Sequence, residues 1–127
     1  KNQEYPWGND EPTCEKSVIN DARRSEGCAK NTTMPVCSKP AGNTTQGLCD
    51  MAGNVWQWVQ DKYLDSYKGS PIDGSSYEGE GIYPGNYRVL RGGSFYGKVV
   101  RNLRADYRGY FDTSSRYDAR TGFRLAR

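Results

Sequence analysis

The chain has 127 residues, which suits a single domain and leaves no room for two. Its formal net charge is only +3, and it carries ten Tyr and three Trp but few large aliphatic residues. This balance argues against a disordered chain and favours a compact fold made mostly of loops, with a core that depends on aromatic side chains and cross-links. No apolar run approaches the roughly 20 residues of a membrane span, so membrane insertion is not expected.

Four cysteines, all in the first half of the chain, are candidate cross-links: Cys14, Cys28, Cys37 and Cys49. They form no C-x-x-C pair and the chain has no His, which disfavours a zinc site. Two disulfides are predicted, and we favour Cys14–Cys28 with Cys37–Cys49 because sequential pairing closes two short loops of similar length. Four free buried thiols are the alternative. Disulfides would place the protein outside the reducing cytosol, in an extracellular, cell-surface or periplasmic setting.

In chain order, no segment stands out as a helix. The first predicted strand covers 54–60, where aromatic and aliphatic side chains alternate with a period of two. Residues 65–86 are rich in Gly and Pro and predict a long irregular loop. Residues 87–91 form a second predicted strand and 122–127 a third, whereas 94–121 is expected to be irregular. Long ordered loops on a small scaffold are where binding residues tend to lie.

The last third of the chain is basic. Residues 88–127 carry ten Lys or Arg against three Asp, a net of +7. A nucleic-acid surface is one interpretation of such a balance. Nine of the ten basic residues, however, are Arg spaced singly among Gly, Tyr, Asp and Ser, a pattern more typical of internal contacts to carboxylates and carbonyls. No nucleic-acid partner is therefore expected.

Four sequence blocks together suggest a family. They are Tyr-Pro-Trp-Gly at 5–8, Gly-Leu-Cys-Asp-Met-Ala-Gly-Asn-Val-Trp-Gln-Trp at 47–58, Arg-Val-Leu-Arg-Gly-Gly-Ser at 88–94 and Gly-Phe-Arg at 122–124. In order and spacing they resemble the formylglycine-generating enzyme, or sulfatase-modifying factor, family. The resemblance implies an α+β fold of the C-type-lectin-like, formylglycine-generating-enzyme type, with little regular secondary structure. Residues 1–127 would be the C-terminal part of one such domain.

The resemblance does not say where the N-terminal half of the domain lies. Family domains usually have an N-terminal half ahead of the Tyr-Pro-Trp-Gly block. Two alternatives are an N-terminal partner fragment in another chain and a shortened domain that compensates with disulfides.

The resemblance also implies a structural calcium ion. The positions that match the family's ligands are Asp50, Gly53, Val55 and Gln57. Carbonyl and side-chain oxygens at a turn that enters a strand suit a hard cation. Gln57 stands where the family usually has Glu, so one negative charge is lost and weaker affinity is expected. In the alternative, Asp50 and Asn54 only cap the turn through backbone N–H groups.

Catalysis is not expected from this chain. The family's enzymes use two cysteines beyond the Gly-Gly-Ser block to bind copper, and the matching positions here hold Gly97 and Asn102. No Cys follows Cys49 and no His is present to replace a copper ligand. The sequence therefore predicts no copper site and no catalytic residue.

The segment 95–121 is the predicted ligand-binding segment. Some non-catalytic members resemble the variable proteins of diversity-generating retroelements, whose segment between Arg-Gly-Gly-Ser and Gly-Phe-Arg-Leu-Ala is rewritten at adenines of chosen codons. Nearly all residues of 95–121 belong to the set that this substitution yields. Arg104, Arg108 and Arg116 would then be fixed framework. The predicted ligand contacts are Tyr96, Gly97, Asp106, Tyr107, Gly109, Tyr110, Phe111, Asp112, Tyr117 and Asp118.

The sequence as a whole predicts a non-catalytic extracellular binding module whose ligand is a protein or a glycan. Tyr, Gly, Ser and Asp supply the rigid aromatic and adaptable polar contacts that antibody loops also use. One alternative is a structural subunit of a cell-surface assembly that uses its Tyr-rich loops for self-assembly. Another is a degenerate enzyme of the family.

Overall fold

The computed structural model describes residues 3–21, 26–96, 100–114 and 119–125. Its centre is a mixed four-stranded sheet in the order β3-β2-β1-β4. The strands are β1 (Trp56–Lys62), β2 (Tyr87–Arg91), β3 (Gly109–Asp112) and β4 (Thr121–Phe123). β2 pairs antiparallel with both β1 and β3, whereas β4 lies parallel to β1. The sheet and a few short helical turns confirm the predicted α+β class with little regular structure.

Helical structure in the described residues is limited to single turns. α1 (Glu26–Ala29) contains Gly27 and Cys28 in the left-handed region, with φ of 56° and 57°. Two 3-10 turns follow at Pro40–Gly42 and Val100–Leu103. None of these turns is long enough or apolar enough to cross a bilayer.

The strand predictions succeed where pairing follows the local pattern. β2 has the predicted bounds, and β1 covers most of the first predicted strand but begins at Trp56. β4 begins one residue before the predicted third strand and ends at Phe123. β3 was not expected, because it lies within the stretch predicted to be irregular. Its four residues form a strand through pairing with β2, which a local pattern does not reveal.

The main packing centre, here called the core cluster, lies beside the sheet. It contains Tyr5, Cys14, Ile19, Ala52 and Leu103, with Trp7 and Cys28 packed against it. The rings of Tyr5 and Trp7 stack with centroids 5.4 Å apart. The segment 47–54 joins this cluster to β1, since the Asn54 amide donates to the Val18 carbonyl over 2.8 Å.

Both predicted disulfides are confirmed. Cys14 is bonded to Cys28, and Cys37 to Cys49. All four cysteines are therefore paired, and the zinc and free-thiol alternatives are wrong. The first disulfide joins the core cluster to α1, while the second closes the loop that precedes residue 50.

Candidate functional site

A cleft of about 570 Å³ opens on the sheet and on the loops that follow β2 and β3. Its walls are aromatic and basic. The lining residues are Trp56, Tyr63, Leu90, Ser94, Tyr96, Arg101, Tyr107, Arg108, Gly109, Tyr110, Phe111, Arg120 and Thr121. The volume lies within the range typical of pockets for small ligands, and this cleft is the candidate site.

The floor of the cleft depends on contacts between β1, β2 and β3. A Cβ atom at Gly109 would lie 3.4 Å from the Trp56 ring and 3.7 Å from the Leu90 Cβ, so glycine lets the indole approach the β3 backbone closely. The Tyr107 ring lies 6.1 Å from the Trp56 ring at an angle of 41°. Trp56 thus forms an apolar base against which a flat ligand can pack.

Two tyrosines of the cleft lining, Tyr63 and Tyr110, belong to a group of four stacked or tilted rings, here called the tyrosine cluster: Tyr63, Tyr83, Tyr87 and Tyr110. The rings of Tyr63 and Tyr110 are closest, with centroids 4.2 Å apart. The hydroxyls of Tyr83 and Tyr110 lie 3.3 Å apart, and this hydrogen bond raises the pKa of Tyr83 above its usual value. The Tyr83 phenol therefore stays neutral at physiological pH and offers a hydroxyl rather than a charge.

Arginines on the cleft walls stack on tyrosine rings. The Arg108 guanidinium lies 4.1 Å from the Tyr67 ring centroid and 5.7 Å from that of Tyr63, and its Nη2 donates to the Leu64 carbonyl over 2.9 Å. The Arg101 guanidinium lies 5.7 Å from the Tyr107 centroid. That of Arg120 lies 4.7 Å from the Tyr96 centroid. Each contact is a cation–π interaction that holds a cationic group at the cleft surface.

Five of the predicted ligand residues meet in this cleft: Tyr96, Tyr107, Gly109, Tyr110 and Phe111. Two others lie outside its lining. Asp106 forms a two-pronged ion pair with Arg104, over 2.9 and 3.0 Å, and Asp112 accepts from the Ser114 amide. The remaining predicted contacts lie outside the described residues: Gly97, Tyr117 and Asp118.

The predicted framework arginines behave differently from one another. Arg104 also bonds to Glu4, which ties the C-terminal third to the start of the chain. Arg108 lines the cleft. Its hydrogen bond to the Leu64 carbonyl also ties the residue before β3 to the residue before the long loop 65–86. Arg116 lies outside the described residues.

The sequence did not predict the cleft residues outside 95–121 or the stacked arginines of the cleft. Trp56, Tyr63 and Leu90 come from β1, the residue after it and β2. The alternation in β1 put Trp56 on one face of the strand but did not say which face meets β3. The Arg spacing was noted, but stacking on tyrosines was not predicted.

The four predicted calcium ligands lie on one turn before β1 and on its first residues. The Gln57 Nε2 donates to the Asp50 carbonyl over 2.5 Å, and its Oε1 accepts from the Arg124 Nε over 3.2 Å. The Asp50 carboxylate accepts from the Cys37 amide over 2.7 Å, and Arg124 Nη2 donates to the Cys49 carbonyl over 2.5 Å. Asn54 does not cap its own turn, because its side chain pairs with both backbone groups of Met34.

These contacts fit calcium only in part. One carboxylate is the only negative charge among Asp50, Gly53, Val55 and Gln57. The Arg124 guanidinium beside Gln57 adds a positive charge. This is a weaker donor set for Ca²⁺ than one with Glu at position 57. Calcium binding at this turn stays a prediction.

The position matched to one copper-binding cysteine is occupied by Asn102, which is half-buried. Its side-chain oxygen is buried and has no hydrogen-bond partner among the described residues. The other position, Gly97, lies outside the described residues. All four cysteines form disulfides in the other half of the chain, so none of them makes a copper site.

Comparison with known proteins agrees with the motifs and the fold. The model of the sulfatase-modifying factor enzyme 1-like domain matches residues 1–127. The chain belongs to this family. Hercynine oxygenase of Mycolicibacterium smegmatis is 32% identical over 126 residues, which is 96% of this chain and 27% of that protein. Serine/threonine-protein kinase pkn1 of Chlamydia caviae is 38% identical over 96 residues, 75% of this chain and 15% of that protein.

Two solved structures share the fold of this family member. The structure of PvdO from Pseudomonas aeruginosa has a TM-score of 0.72 at 28% identity, covering 94% of this chain and 41% of that one. Treponema denticola variable protein 1 has a TM-score of 0.65 at 24% identity, covering 94% and 40%. The chain therefore spans about a quarter of the hercynine oxygenase and two fifths of these structures.

Proposed function

We propose that this family member is a ligand-binding module rather than an oxidase, and that the cleft is its binding site. The observation that carries the proposal is that Tyr96, Tyr107, Tyr110 and Phe111, predicted as contacts from sequence, line one cleft together with Trp56. Aromatic side chains offer large contact area at low conformational-entropy cost. The ligand is a protein or a glycan, and the two disulfides suit an extracellular or periplasmic setting.

The proposal is tested by comparing cleft and surface variants on one ligand screen. Wild type, Tyr110→Ala and Ile72→Ala are applied to a glycan array and to a displayed library of extracellular protein domains. Tyr110 lines the cleft, whereas Ile72 is fully exposed in the long loop. We expect ligands that Ile72→Ala retains and that Tyr110→Ala binds at least tenfold more weakly. Ligands that both variants retain equally would rule out the cleft as the binding site.

We further propose that 95–121 is diversified as in retroelement variable proteins. The separation between cleft-lining side chains and the core cluster supports this, since exposed residues change at small cost in stability. The test is sequencing of the gene across many isolates. Changes at adenine-derived codons of 95–121, with Arg104 and Gly122 constant, are expected. Variation spread evenly along the chain would exclude diversification and leave a binder of constant surface.

An assembly subunit is the second candidate, and one observation favours it. β4 is an edge strand, and Phe123 and the nearby Leu125 are 75% and 86% exposed. Exposed apolar side chains at a sheet edge are typical of contact with another chain. Light scattering after size-exclusion chromatography distinguishes the two candidates. An oligomer that Phe123→Ser dissociates supports assembly, and a monomer at high concentration excludes self-assembly.

A further inference from the structure

We infer that the cleft recognises a ligand with an anionic group, such as a carboxylate, sulfate or phosphate, attached to an aromatic body. Arg101 and Arg108 bind the anion. This inference rests on the proposed binding function and names the chemical class of the ligand.

The first support is the charge of the cleft walls. Three arginines line the cleft, and the described lining residues include no Asp or Glu. None of the ion pairs between described residues involves Arg101 or Arg108. A concave site whose described lining carries arginines and no carboxylate concentrates field lines and attracts anions.

Two arginines outside the cleft show a contrasting pattern. Arg88 pairs with Glu78 over 2.8 Å, and Arg104 pairs with both Glu4 and Asp106. These structural arginines are neutralised by carboxylates of the protein. Arg101 and Arg108 of the cleft instead have tyrosine rings as neighbours, which hold a guanidinium in place without neutralising its charge.

The second support is the geometry of Arg108. One of its five N–H donors bonds to the Leu64 carbonyl, and the Tyr67 ring lies only 4.1 Å from its guanidinium carbon. The guanidinium is thus positioned before any ligand arrives. A preorganised planar group with unused donors suits two-pronged recognition of a carboxylate, sulfate or phosphate.

The third support is the apolar part of the cleft. Trp56, Tyr107 and Phe111 contribute flat apolar surface to the same cleft. An inorganic anion would leave this surface unused, whereas an aryl carboxylate, sulfate or phosphate would use both the rings and the guanidinium groups.

The test uses two probes that share a ring and differ in charge. Phenyl phosphate and phenol are each titrated into the whole chain by NMR. We expect phenyl phosphate to bind at least tenfold more tightly than phenol and to weaken as salt is added. A peptide that carries phosphotyrosine then separates the sources. Tighter binding of this peptide than of phenyl phosphate supports a protein ligand that carries the anion, and weaker binding contradicts one.

The variants identify the groups responsible. Arg101→Gln removes an exposed cation from the cleft, and we expect phenyl phosphate binding to fall about tenfold, the loss typical of a charge-assisted hydrogen bond. Arg108→Lys keeps the charge and loses the planar donors, so a similar fall is expected. Lys30→Gln is the matched control, because it removes an equal charge from an exposed site outside the cleft; its affinity should stay within twofold.

Several results would overturn the inference. They are equal binding of the two probes, binding of neither, an Arg101→Gln variant with wild-type affinity, or an equal loss in Lys30→Gln. Failure of the anion inference is distinguishable from failure of the proposed function. If screened ligands depend on Tyr110 but not on Arg101, only the anion inference fails. If binding of the screened ligands depends on neither Tyr110 nor Arg101, the anion inference and the proposed function both fail.

Discussion

The core cluster and the cleft use their side chains in opposite ways. Tyr5 and Leu103 of the core cluster are each 4% exposed, whereas Tyr110 and Phe111 of the cleft are 41% and 47% exposed. The core cluster is also tied by a disulfide, while the cleft is built from ring stacking on a sheet. Residues that stabilise the fold are thus largely separate from residues that face the cleft. Ligand contacts can therefore change with little effect on folding.

The largest effect is expected where the first half of the chain is most tightly packed. A Cβ atom at Gly42 would lie 1.7 Å from the Lys16 carbonyl oxygen, so Gly42→Ala forces backbone to move. We expect a loss of about 4 kcal/mol in the free energy of unfolding, measured by denaturant titration. Gly47→Ala is the control, because its φ is +81° but nothing lies within 4 Å. It should cost only about 1 kcal/mol, and equal losses would contradict this packing.

Truncating one side chain in each region tests the comparison directly. Leu103→Ala should cost about 3 kcal/mol, because a buried side chain is removed from the core cluster. Phe111→Ala should cost less than about 1 kcal/mol, because nearly half of that side chain is exposed. Thermal and denaturant unfolding of both variants provide the measurement. Similar losses would show that the cleft is part of the stabilising core.

Removal of each disulfide tests how the cross-links contribute. Cys14→Ala with Cys28→Ala opens a loop of 14 residues, and Cys37→Ala with Cys49→Ala opens one of 12. Loop closure alone predicts that each double variant loses about 3 kcal/mol in the free energy of unfolding. Because Cys14 is buried, the variant with Cys14→Ala and Cys28→Ala should lose slightly more unfolding free energy than the other variant. Equilibrium unfolding checks this, and a larger loss from the second pair would contradict the central place of the core cluster.

Calcium should change the stability of the fold by less than the removal of either disulfide. A site with a Kd of about 1 mM would gain about 1.4 kcal/mol in 10 mM calcium. We therefore expect the melting temperature to rise only at millimolar calcium, and Gln57→Glu to reach the same rise at lower concentration by restoring a negative charge. Magnesium at equal concentration controls for ionic strength. If neither protein responds to 10 mM calcium, the turn is not a calcium site.

The smallest effect on the stability of the fold is expected from lowering the pH. Hydrogen bonds from Arg88 and then Gln60 lower the pKa of Glu78 below its unfolded value of 4.5. A lowered pKa stabilises the fold above the unfolded pKa, and this stabilisation is lost as pH falls through the folded pKa. Wild type should therefore melt slightly above Glu78→Gln at pH 7, and the difference should shrink as the pH falls below 4.5. A constant difference across this range would contradict the assignment.

The sequence predicted most where short-range patterns decide the outcome. Alternation identified β1, the short run before Gly92-Gly93 identified β2, and the spacing of four cysteines identified both disulfides. The motif blocks identified the family. In contrast, β3 and the cleft arginines were missed, because a four-residue strand has no signal of its own and stacking needs a ring from elsewhere in the chain. The Arg108 bond to Leu64, for example, spans 44 positions.

The sequence by itself determined the family, the cross-links and the segment that contributes most of the cleft lining. Composition and motif spacing are properties of the chain before it folds, so they are readable without coordinates. Only the tertiary structure decided that Trp56, Tyr63 and Leu90 join that segment in one cleft. The reason is that parallel pairing of β1 with β4 and antiparallel pairing of β2 with β3 bring distant residues together. Such pairing is fixed by the packing of the whole sheet and not by any local pattern.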